Sequence, residues 1–520
     1  MYLRISKGRQ KSYLVIVKGY RDNGKVKQRT VCNLGPIDAN TAKQSLALGK
    51  KLLQQFGASA IIDGSEIAEK HRNNWGAYEV LQHLWKAYNL DQFWQQQLQK
   101  RKIQYDLPDL IQLMIAGRIC NPCSKLSLFE NQKFYDGFVP VELQTLYKAL
   151  DELDYHKDEL SRHLFARQQE LHGEVTIAFF DVTTMYFESV KPDDIKAFGF
   201  SKDCKFGEVQ IVLSLLSDSK GNPLAYELFP GNVSEGKTFI NCLKDLKEKY
   251  NIKKAVIVAD RGMYCAENLQ YAVDMGFSYI VGTKLRNSTA KIKEQTMQID
   301  DYQNLGNEEE YKYKVINKER VCHKETIIAS WSKKRANKDA RDRARLVDKA
   351  MKLLRSGKVN DHKGGKKYLK VSKARMELDS KKIEQDARWD GFYGVSTNSN
   401  LAPYLVLEAY HNLWRIEESF RIMKNYFETR PMFHWTPKRI SGHIMLNFMA
   451  MIFERYIENK LRNGGKNLSA NKIRNGISGL QKSILSIDNK QFISYANLTD
   501  HSLDILQILG INIPKSHMLK

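Results

Sequence analysis

Long hydrophobic runs are missing from this 520-residue sequence. A membrane-spanning helix needs about 18 or more consecutive apolar residues, and no segment approaches that length. The most apolar stretch, residues 444–453, is about half as long and predicts a buried helix. The first residues, MYLRISKGRQ, alternate polar and apolar side chains and do not resemble a secretory signal. We therefore expect a cytoplasmic protein without a membrane partner.

The sequence has few cysteines, and their number, seven, is odd. An odd count in a long chain without a secretory signal argues against a disulfide framework. Cys120 and Cys123 form a single CxxC pair, but a zinc site needs a second pair of Cys or His ligands, and none follows nearby. We interpret the cysteines as structural thiols.

Acidic residues are too few to balance the basic ones. The sequence has 82 Lys and Arg against 59 Asp and Glu, which gives a net charge of +23. Over half of this surplus lies in residues 333–375, where 17 basic residues stand against four acidic ones. A field of this sign favours a polyanionic partner, and nucleic acid is the first candidate for a protein of this size.

The N-terminal third of the chain changes its hydrophobic period once. Residues 1–40 alternate polar and apolar side chains around Gly and Asp-Asn-Gly turn signals, which predicts a small basic β-hairpin region. With nine Lys or Arg residues there, a DNA-contacting sheet and an ordinary solvated sheet are both open. Residues 41–172 have helical spacing and few prolines, and we interpret them as a helical DNA-binding region.

Mixed α/β patterning begins at residue 173. Apolar runs predict strands at residues 175–182, 209–218, 223–229, 253–260, 277–284 and 389–398. Helices are expected at 235–249 and before Gly276, so that the strands form a mixed sheet flanked by helices.

We therefore predict an α/β fold with five regions. A mixed sheet with flanking helices is split by a basic insertion domain, and helical N- and C-terminal regions complete the chain. The predicted boundaries are 1–40, 41–172, 173–284 together with 390–455 for the sheet domain, 285–389 for the insertion, and 456–520 for the helical C-terminal region.

The segment YHNLWRIEESFRIMK, residues 410–424, predicts a two-sided helix. Steps of four and three residues place five polar or aromatic side chains on one face: Tyr410, Trp414, Glu417, Arg421 and Lys424. The neighbouring face is apolar and is expected to be buried: Leu413, Ile416, Phe420, Met423 and Phe427. An ordinary solvated face with a Glu417–Arg421 ion pair is the alternative.

Asp181 and Asp260 each end a predicted buried strand, and Glu417 supplies a third carboxylate. Ligands of α/β sheets gather at strand ends, and hard divalent cations prefer oxygen ligands. These three residues are therefore candidates to hold two Mg²⁺ or Mn²⁺ ions and to catalyse phosphoryl transfer. Candidate contacts to DNA are the cations Arg261, Arg421 and Lys424 and the aromatic side chains of Tyr410 and Trp414.

Three motifs together resemble the signature of bacterial insertion-sequence DDE transposases. They are FFDVTTMYF, VIVADRGM, and YHNLWRIEESFRIMK followed by RPMFHW. The most similar group has a Y-x2-R-x3-E-x6-K motif, which Tyr410, Glu417 and Lys424 match. Leu413 stands where that motif has Arg, so any hairpin-forming step that depends on this Arg is not implied. Asp181, Asp260 and Glu417 match the DDE triad.

The resemblance implies an RNase H-like catalytic domain and a two-metal reaction. Such an enzyme binds terminal inverted repeats, nicks the transposon ends, and joins the freed 3′-hydroxyl to target DNA. The implied partners are transposon ends and target DNA, and a homodimer is expected on DNA because two ends are paired. Bound to DNA, the protein would be associated with the nucleoid.

Two rival interpretations remain at this point. GNVSEGKT, Gly231 to Thr238, fits the P-loop pattern G-x4-G-K-[ST], and AVIVAD ending in Asp260 resembles a Walker B strand. A P-loop NTPase is therefore one alternative, although Pro230 and the short spacing argue against it. The other is a DNA-binding protein with a decayed catalytic site.

Overall fold

A computed structural model describes residues 1–8, 11–55, 67–99, 101–202, 204–205, 207–305, 308–319, 324–356, 365–371, 376–487, 490–495 and 498–518. Parts of the predicted helical region and of the basic insertion lie outside these residues. The chain forms two compact units. The smaller comprises Met1–Arg72, Lys482–Tyr495 and Lys515–Lys520, and the larger comprises Asn73–Gln481 and Ala496–Pro514.

The smaller unit begins with an antiparallel sheet in the order β1-β2-β3, formed by Tyr2–Lys7, Ser12–Asp22 and Lys25–Pro36. The strands of this sheet lie where the alternating sequence pattern predicts hairpins. Helix α1 (Ala39–Gln55) follows and packs against β3.

A second sheet corrects the prediction for the C-terminal region. Its order is β18-β17-β16-β4, formed by His517–Met518, Lys490–Tyr495, Gln481–Ile487 and Ala68–Asn74. The prediction that residues 456–520 are entirely helical is therefore wrong. Short alternating segments such as KSILSI and QFISY pair as β16 and β17. Among the described residues beyond α15, helical structure is confined to α16 (Ala470–Ser478) and α17 (Asp500–Leu509).

Helices dominate the first part of the larger unit: α2 (Gly76–Ala87), α3 (Leu90–Leu98), α4 (Leu107–Cys120), α5 (Lys125–Asn131), α6 (Leu143–Tyr155) and α7 (Lys157–His172). Of these helices, α4 and α6 pack against α15 (Pro437–Asn463). Residues 444–453 of α15 are all buried, so the prediction of a buried helix is confirmed. No helix of the described residues is long and apolar enough to cross a membrane.

A nine-stranded mixed sheet forms the other half of the larger unit, in the order β10-β11-β12-β15-β9-β8-β5-β6-β7. Six of its strands lie in the predicted sheet domain: β5 (Ile177–Tyr186), β6 (Gln210–Asp218), β7 (Pro223–Pro230), β8 (Val256–Ala259), β9 (Ser278–Thr283) and β15 (Phe392–Thr397). Strands β5, β8 and β9 run parallel, and the other neighbours pair antiparallel. Helices α8 (Glu235–Glu248) and α9 (Ala266–Asp274) lie in the predicted positions.

The region 285–389 extends this sheet and does not interrupt it. Its strands β10 (Gln303–Leu305), β11 (Glu308–Glu319) and β12 (Lys324–Ser332) continue the ladder, because β12 pairs with β15. The same region contains α10 (Ala290–Met297), α11 (Lys333–Ser356), α12 (Ser380–Ala387) and the two short strands β13 (Leu369–Val371) and β14 (Met376–Leu378).

The contact between α15 and α6 gives a test of the core. A Cβ at Gly442 would collide with the carbonyl oxygen of Leu150, so that the two helices would have to separate. We expect Gly442→Ala to destabilise the larger unit by about 1–3 kcal/mol or more, and to lower its thermal unfolding temperature. Gly207→Ala is the control, because nothing lies within 4 Å of a Cβ there. Equal unfolding temperatures for both variants would contradict this packing.

Candidate active site

Parallel pairing of β5 with β8 brings the two predicted aspartates side by side. Phe180 is paired with Ala259, so Asp181 and Asp260 are the next residues along neighbouring strands. Asp260 lies at the end of β8, as predicted, and its carboxylate accepts from the backbone N–H of Arg261. Asp181 does not end its strand, because β5 continues to Tyr186. The prediction of its position was therefore wrong in detail, but the two carboxylates are still neighbours.

Asp181 occupies an unfavourable environment for a carboxylate. Its side chain is only 16% exposed. Burial raises the pKa of Asp181 to about 7, and the nearby negative charges of Asp260 and Glu235 act in the same direction. The Lys202 ammonium opposes this shift. A buried, incompletely compensated carboxylate beside a second carboxylate fits a cation site.

Lys202 and Glu235 are neighbours of this pair that the sequence did not single out. The Lys202 ammonium lies 2.8 Å from Glu235 Oε1 and 3.9 Å from Asp181 Oδ1, and it donates to the carbonyl oxygen of Val182 at 2.7 Å. Lys202 belongs to the connection between β5 and β6, and Glu235 starts α8. Only the tertiary arrangement brings them together, so no local pattern in the sequence could have found them.

The segment that carries Glu417 is not one regular helix, which corrects the prediction for residues 410–424. Helix α13 (Pro403–His411) ends in a turn, α14 spans Trp414–Arg421, and a π-helical turn follows at Ile422–Tyr426. The backbone N–H groups of Leu413, Arg415 and Ile416 bond to the carbonyl three residues earlier, which tightens the chain locally. In the wider turn, Phe427 N–H instead reaches Ile422 O.

The predicted apolar face is confirmed despite this irregular backbone. All five of its members are buried, with 7% exposure or less: Leu413, Ile416, Phe420, Met423 and Phe427. Helix α14 packs against β5, the strand of Asp181, and α13 packs against β8 and β9. The alternative pair Glu417–Arg421 is not observed among the described ion pairs. Arg421 instead pairs with Glu418, which also binds the buried Arg455 at 3.2 Å.

The first part of the polar side of this segment, from Tyr410 to Glu417, faces a cleft of about 1510 Å³. Its lining includes Asp260, Tyr410, Trp414 and Glu417. Trp414 is 44% exposed, and Glu417 is exposed as well. The described lining does not include Arg421 or Lys424, so these two predicted DNA contacts lie away from the cleft.

Tyr410 is held between the sheet and the cleft. Its ring packs on Tyr393 with centroids 5.4 Å apart, and a Cβ at Gly282 would collide with its hydroxyl group. Burial raises the pKa of Tyr410 to about 12, and the charge of Asp260 adds to this. Tyr410 therefore stays protonated at neutral pH. Arg261 and Arg335 contribute positive charge to the same place, although sequence reasoning selected only the former.

Two of the three predicted metal ligands are brought together here. Among the described residues, no three His, Cys, Asp or Glu side chains lie close enough to hold one metal ion. The neighbouring Asp181 and Asp260 fit a hard cation, and Glu417 lines the same cleft as Asp260 without completing a three-carboxylate group.

The segment Gly231–Thr238 does not have the structure of a phosphate-binding loop. The Gly231 N–H donates to Ile195 O, and the Gly231 carbonyl accepts from Gln210 Nε2 at 3.0 Å. Thr238 is fully buried and donates its hydroxyl to Glu235 O. The preceding strand β7 is an edge strand of the sheet and is antiparallel to its neighbour β6. This packing argues against the P-loop interpretation.

Comparison with known proteins gives two family matches. The family described as "Transposase DDE domain" matches residues 176–453, and "IS1634 family transposase, N-terminal domain" matches residues 3–59. No curated protein matches the chain.

Two solved structures show weak similarity. A cryo-EM structure of a piggyBac transposase synaptic complex with hairpin DNA has 9% identity and a TM-score of 0.38, with 77% of each chain covered. A Mos1 transposase paired-end complex with the left transposon end has 13% identity and a TM-score of 0.15, covering 35% of this chain and 59% of that one.

The raised pKa of Asp181 predicts how the stability of the metal-free protein depends on pH. Between the ordinary value of 3.8 and about 7, the folded protein keeps a proton that the unfolded chain has lost. The ionised form therefore costs stability progressively as the pH rises through this window, and the cost is constant above it. We expect Asp181→Asn to raise the unfolding temperature, with a gain that grows up to about pH 7.

This experiment uses thermal unfolding in the presence of a chelator, at a series of pH values from 5 to 8.5. Asp300→Asn, in an exposed turn, is the control and should show no such trend. A pH-independent effect of Asp181→Asn would contradict the interpretation of its environment.

Proposed function

This chain belongs to the transposase DDE domain family, and we propose that Asp181, Asp260 and Glu417 are its catalytic triad. The family match covers all three residues and makes the protein a metal-dependent DNA transposase that cuts and joins DNA. The observation that carries the triad is the pairing of β5 with β8, which makes Asp181 and Asp260 neighbours.

The elements around Glu417 support its assignment as the third carboxylate of the triad. Its helix α14 packs on β5, and its side chain lines the same cleft as Asp260. The adjacent Glu418 has a structural role, since it binds Arg455 beneath the helix. Glu417 is exposed and makes no described ion pair, so it is available to a cation that enters the cleft.

Two Mg²⁺ or Mn²⁺ ions held by these carboxylates would activate the attacking water or 3′-hydroxyl and stabilise the leaving oxygen. The chain's own groups prepare the site for DNA. Tyr410 keeps its proton and can donate a hydrogen bond to a phosphate oxygen beside Asp260. Arg261 and the more distant Arg421 and Lys424 offer positive charge to the DNA backbone.

The sheet topology supports an RNase H-like catalytic domain. Strands β5, β6 and β7 form an antiparallel meander, and β8 and β9 then add on the other side of β5, parallel to it. We assign 173–284 and 390–455 to this domain, 285–389 to a basic insertion whose strands extend the same sheet, 1–40 to a small basic β-hairpin region, 41–172 to a DNA-binding region, and 456–520 to a C-terminal region. The net charge of +23 agrees with DNA as the partner.

On this proposal the protein binds terminal inverted repeats as a homodimer, nicks the ends, and joins the 3′-hydroxyl to target DNA. It acts in the cytoplasm, associated with the nucleoid when bound. Mass photometry with and without a transposon-end duplex tests the assembly, which should change from the free species to a complex of two chains and two ends. One chain per end at saturation would contradict the dimer.

The triad is tested by nicking of an end-containing duplex with Mg²⁺ or Mn²⁺ and without ATP. We expect Asp181→Asn, Asp260→Asn and Glu417→Gln each to reduce nicking by about 1000-fold or more, since each removes metal-held charge stabilisation worth several kcal/mol. DNA binding, measured by gel shift, should remain.

Glu418→Gln is the matched control for Glu417→Gln, because Arg455 keeps Glu458 as a partner. It should retain nicking within a few-fold. A Glu417→Gln variant that nicks like the control would remove Glu417 from the triad. If the parent protein instead hydrolysed ATP without nicking DNA, and Lys237→Ala lost this hydrolysis, the P-loop interpretation would be restored. If the parent protein bound DNA with neither activity, it would be a decayed enzyme.

Trp414 offers an exposed ring beside Glu417 on which an unpaired base can stack. We expect Trp414→Ala to weaken binding to an end with splayed terminal bases by roughly 5- to 150-fold, the equivalent of 1–3 kcal/mol of stacking. Binding to a fully paired end should change little. Fluorescence anisotropy with both probes measures the difference, Trp414→Phe should restore most of it, and Phe433→Ala is an exposed aromatic control. Equal losses on both probes would contradict base stacking.

A further inference from the structure

The hairpin formed by β2 and β3 extends beyond the rest of its sheet. Strand β1 pairs with β2 only from Ser12 to Val17, whereas β2 and β3 remain paired out to Asp22 and Lys25. Residues 18–22 and 25–29 therefore form a two-stranded ribbon of five residue pairs, about 16 Å long. Every residue of this ribbon except Asp22 is exposed.

The positive charge of this ribbon is concentrated on one face. Residues directly opposite each other in an antiparallel pair lie on the same face, and alternate pairs share it. The register places Lys18 opposite Arg29, Tyr20 opposite Lys27, and Asp22 opposite Lys25. Four cations and one aromatic ring thus share a face with a single acid, while Arg21 is the one cation on the other face.

This arrangement is costly for the isolated protein. Like charges directly opposite each other, as in Lys18 and Arg29, destabilise a strand pair. Within the described part of the chain, Lys27 pairs with Asp22 at 2.7 Å, and no ion pair compensates Lys18, Lys25 or Arg29. A polyanion laid on this face would remove the repulsion. Tyr20, 44% exposed among these cations, adds a flat apolar surface.

The shape of the ribbon selects the kind of polyanion. Asn23 and Gly24 both have positive φ, of 46° and 77°, so the ribbon ends in a tight two-residue turn without a bulky loop. Its two strands lie about 5 Å apart, and the major groove of B-DNA, about 12 Å wide, admits a two-stranded ribbon. The narrow, deep major groove of an RNA duplex does not.

We propose that the β2–β3 ribbon inserts into the major groove of duplex DNA and holds its phosphates with Lys18, Lys25 and Arg29, the cations of this face that have no described ion-pair partner. The proposal rests on the proposed function in taking DNA as the partner. It adds a binding element outside both the catalytic cleft and the helical region that the sequence suggests for DNA binding.

The test measures affinity for an end-containing duplex by fluorescence anisotropy over a series of salt concentrations. The ribbon variant carries Lys18→Gln, Lys25→Gln and Arg29→Gln, and it keeps the Lys27–Asp22 ion pair. Log affinity falls linearly with log salt concentration, and each lost phosphate contact makes this slope less steep by about 0.9. We therefore expect the slope of the ribbon variant to be less steep by about 3, and its affinity to be lower by about ten-fold or more.

The control variant carries Lys43→Gln, Lys51→Gln and Lys70→Gln. These are three exposed lysines of the same unit, and their loss changes the net charge equally. The control should keep nearly the full slope, and circular dichroism should show both variants folded. Equal slopes for the two variants would overturn the proposal, since the ribbon would then contribute only its share of net charge.

Methylation of guanine N7 distinguishes the groove. It should weaken binding by the parent chain and leave the ribbon variant unaffected, because that atom lies in the major groove. Interference that is identical in both would overturn the groove assignment. The proposal would also be overturned if the ribbon variant bound DNA as the parent does but lost binding to duplex RNA or to anionic lipid vesicles.

The two proposals fail in different ways. If the triad is wrong, Asp181→Asn nicks normally and the salt slopes of the ribbon variant are still reduced. If the ribbon is wrong, its slope matches that of the control while the triad variants still lose nicking.

Discussion

The parallel pairing of β5 with β8 is the constraint on which the site depends. It fixes Phe180 beside Ala259, so the two aspartates that follow them start from neighbouring backbone positions. The surrounding core maintains this pairing, because one apolar face of both strands, including Phe180 and Ile257, is fully buried in a cluster that also contains residues of α8 and α9. Two carboxylates are thereby held together at a position where their repulsion is unfavourable without a cation.

Electrostatics connects this site to the rest of the molecule. Burial of Asp181 makes its charge costly, and the chain compensates only partly, with one lysine that it shares with Glu235. The opposite imbalance occurs on the β2–β3 ribbon, where cations face each other without described partners. An excess of negative charge in the cleft and of positive charge on the ribbon suits an enzyme that binds metal ions in one place and DNA in another.

Much of the fold and part of the candidate site could be predicted from the sequence, because the spacing of apolar residues along the chain indicates which side chains are buried. Strands such as β6 and β7 and the apolar face from Leu413 to Phe427 followed from spacing alone. Spacing does not report backbone detail. The turn after His411 and the π-helical turn at 422–426 leave no signal in that spacing, and the pairing of Lys202 with Asp181 joins residues whose contact only the folded chain creates. Short alternating strands such as β16 are likewise hidden within a mostly helical stretch.

The most direct measurement of the central claim is Mn²⁺ anomalous scattering from crystals of the protein bound to a transposon end. We predict ions within bonding distance of Asp181 and Asp260, with a carboxylate oxygen of Glu417 completing the coordination. Ions held by the two aspartates with Glu235 in place of Glu417, or ions bound elsewhere in the chain, would contradict it.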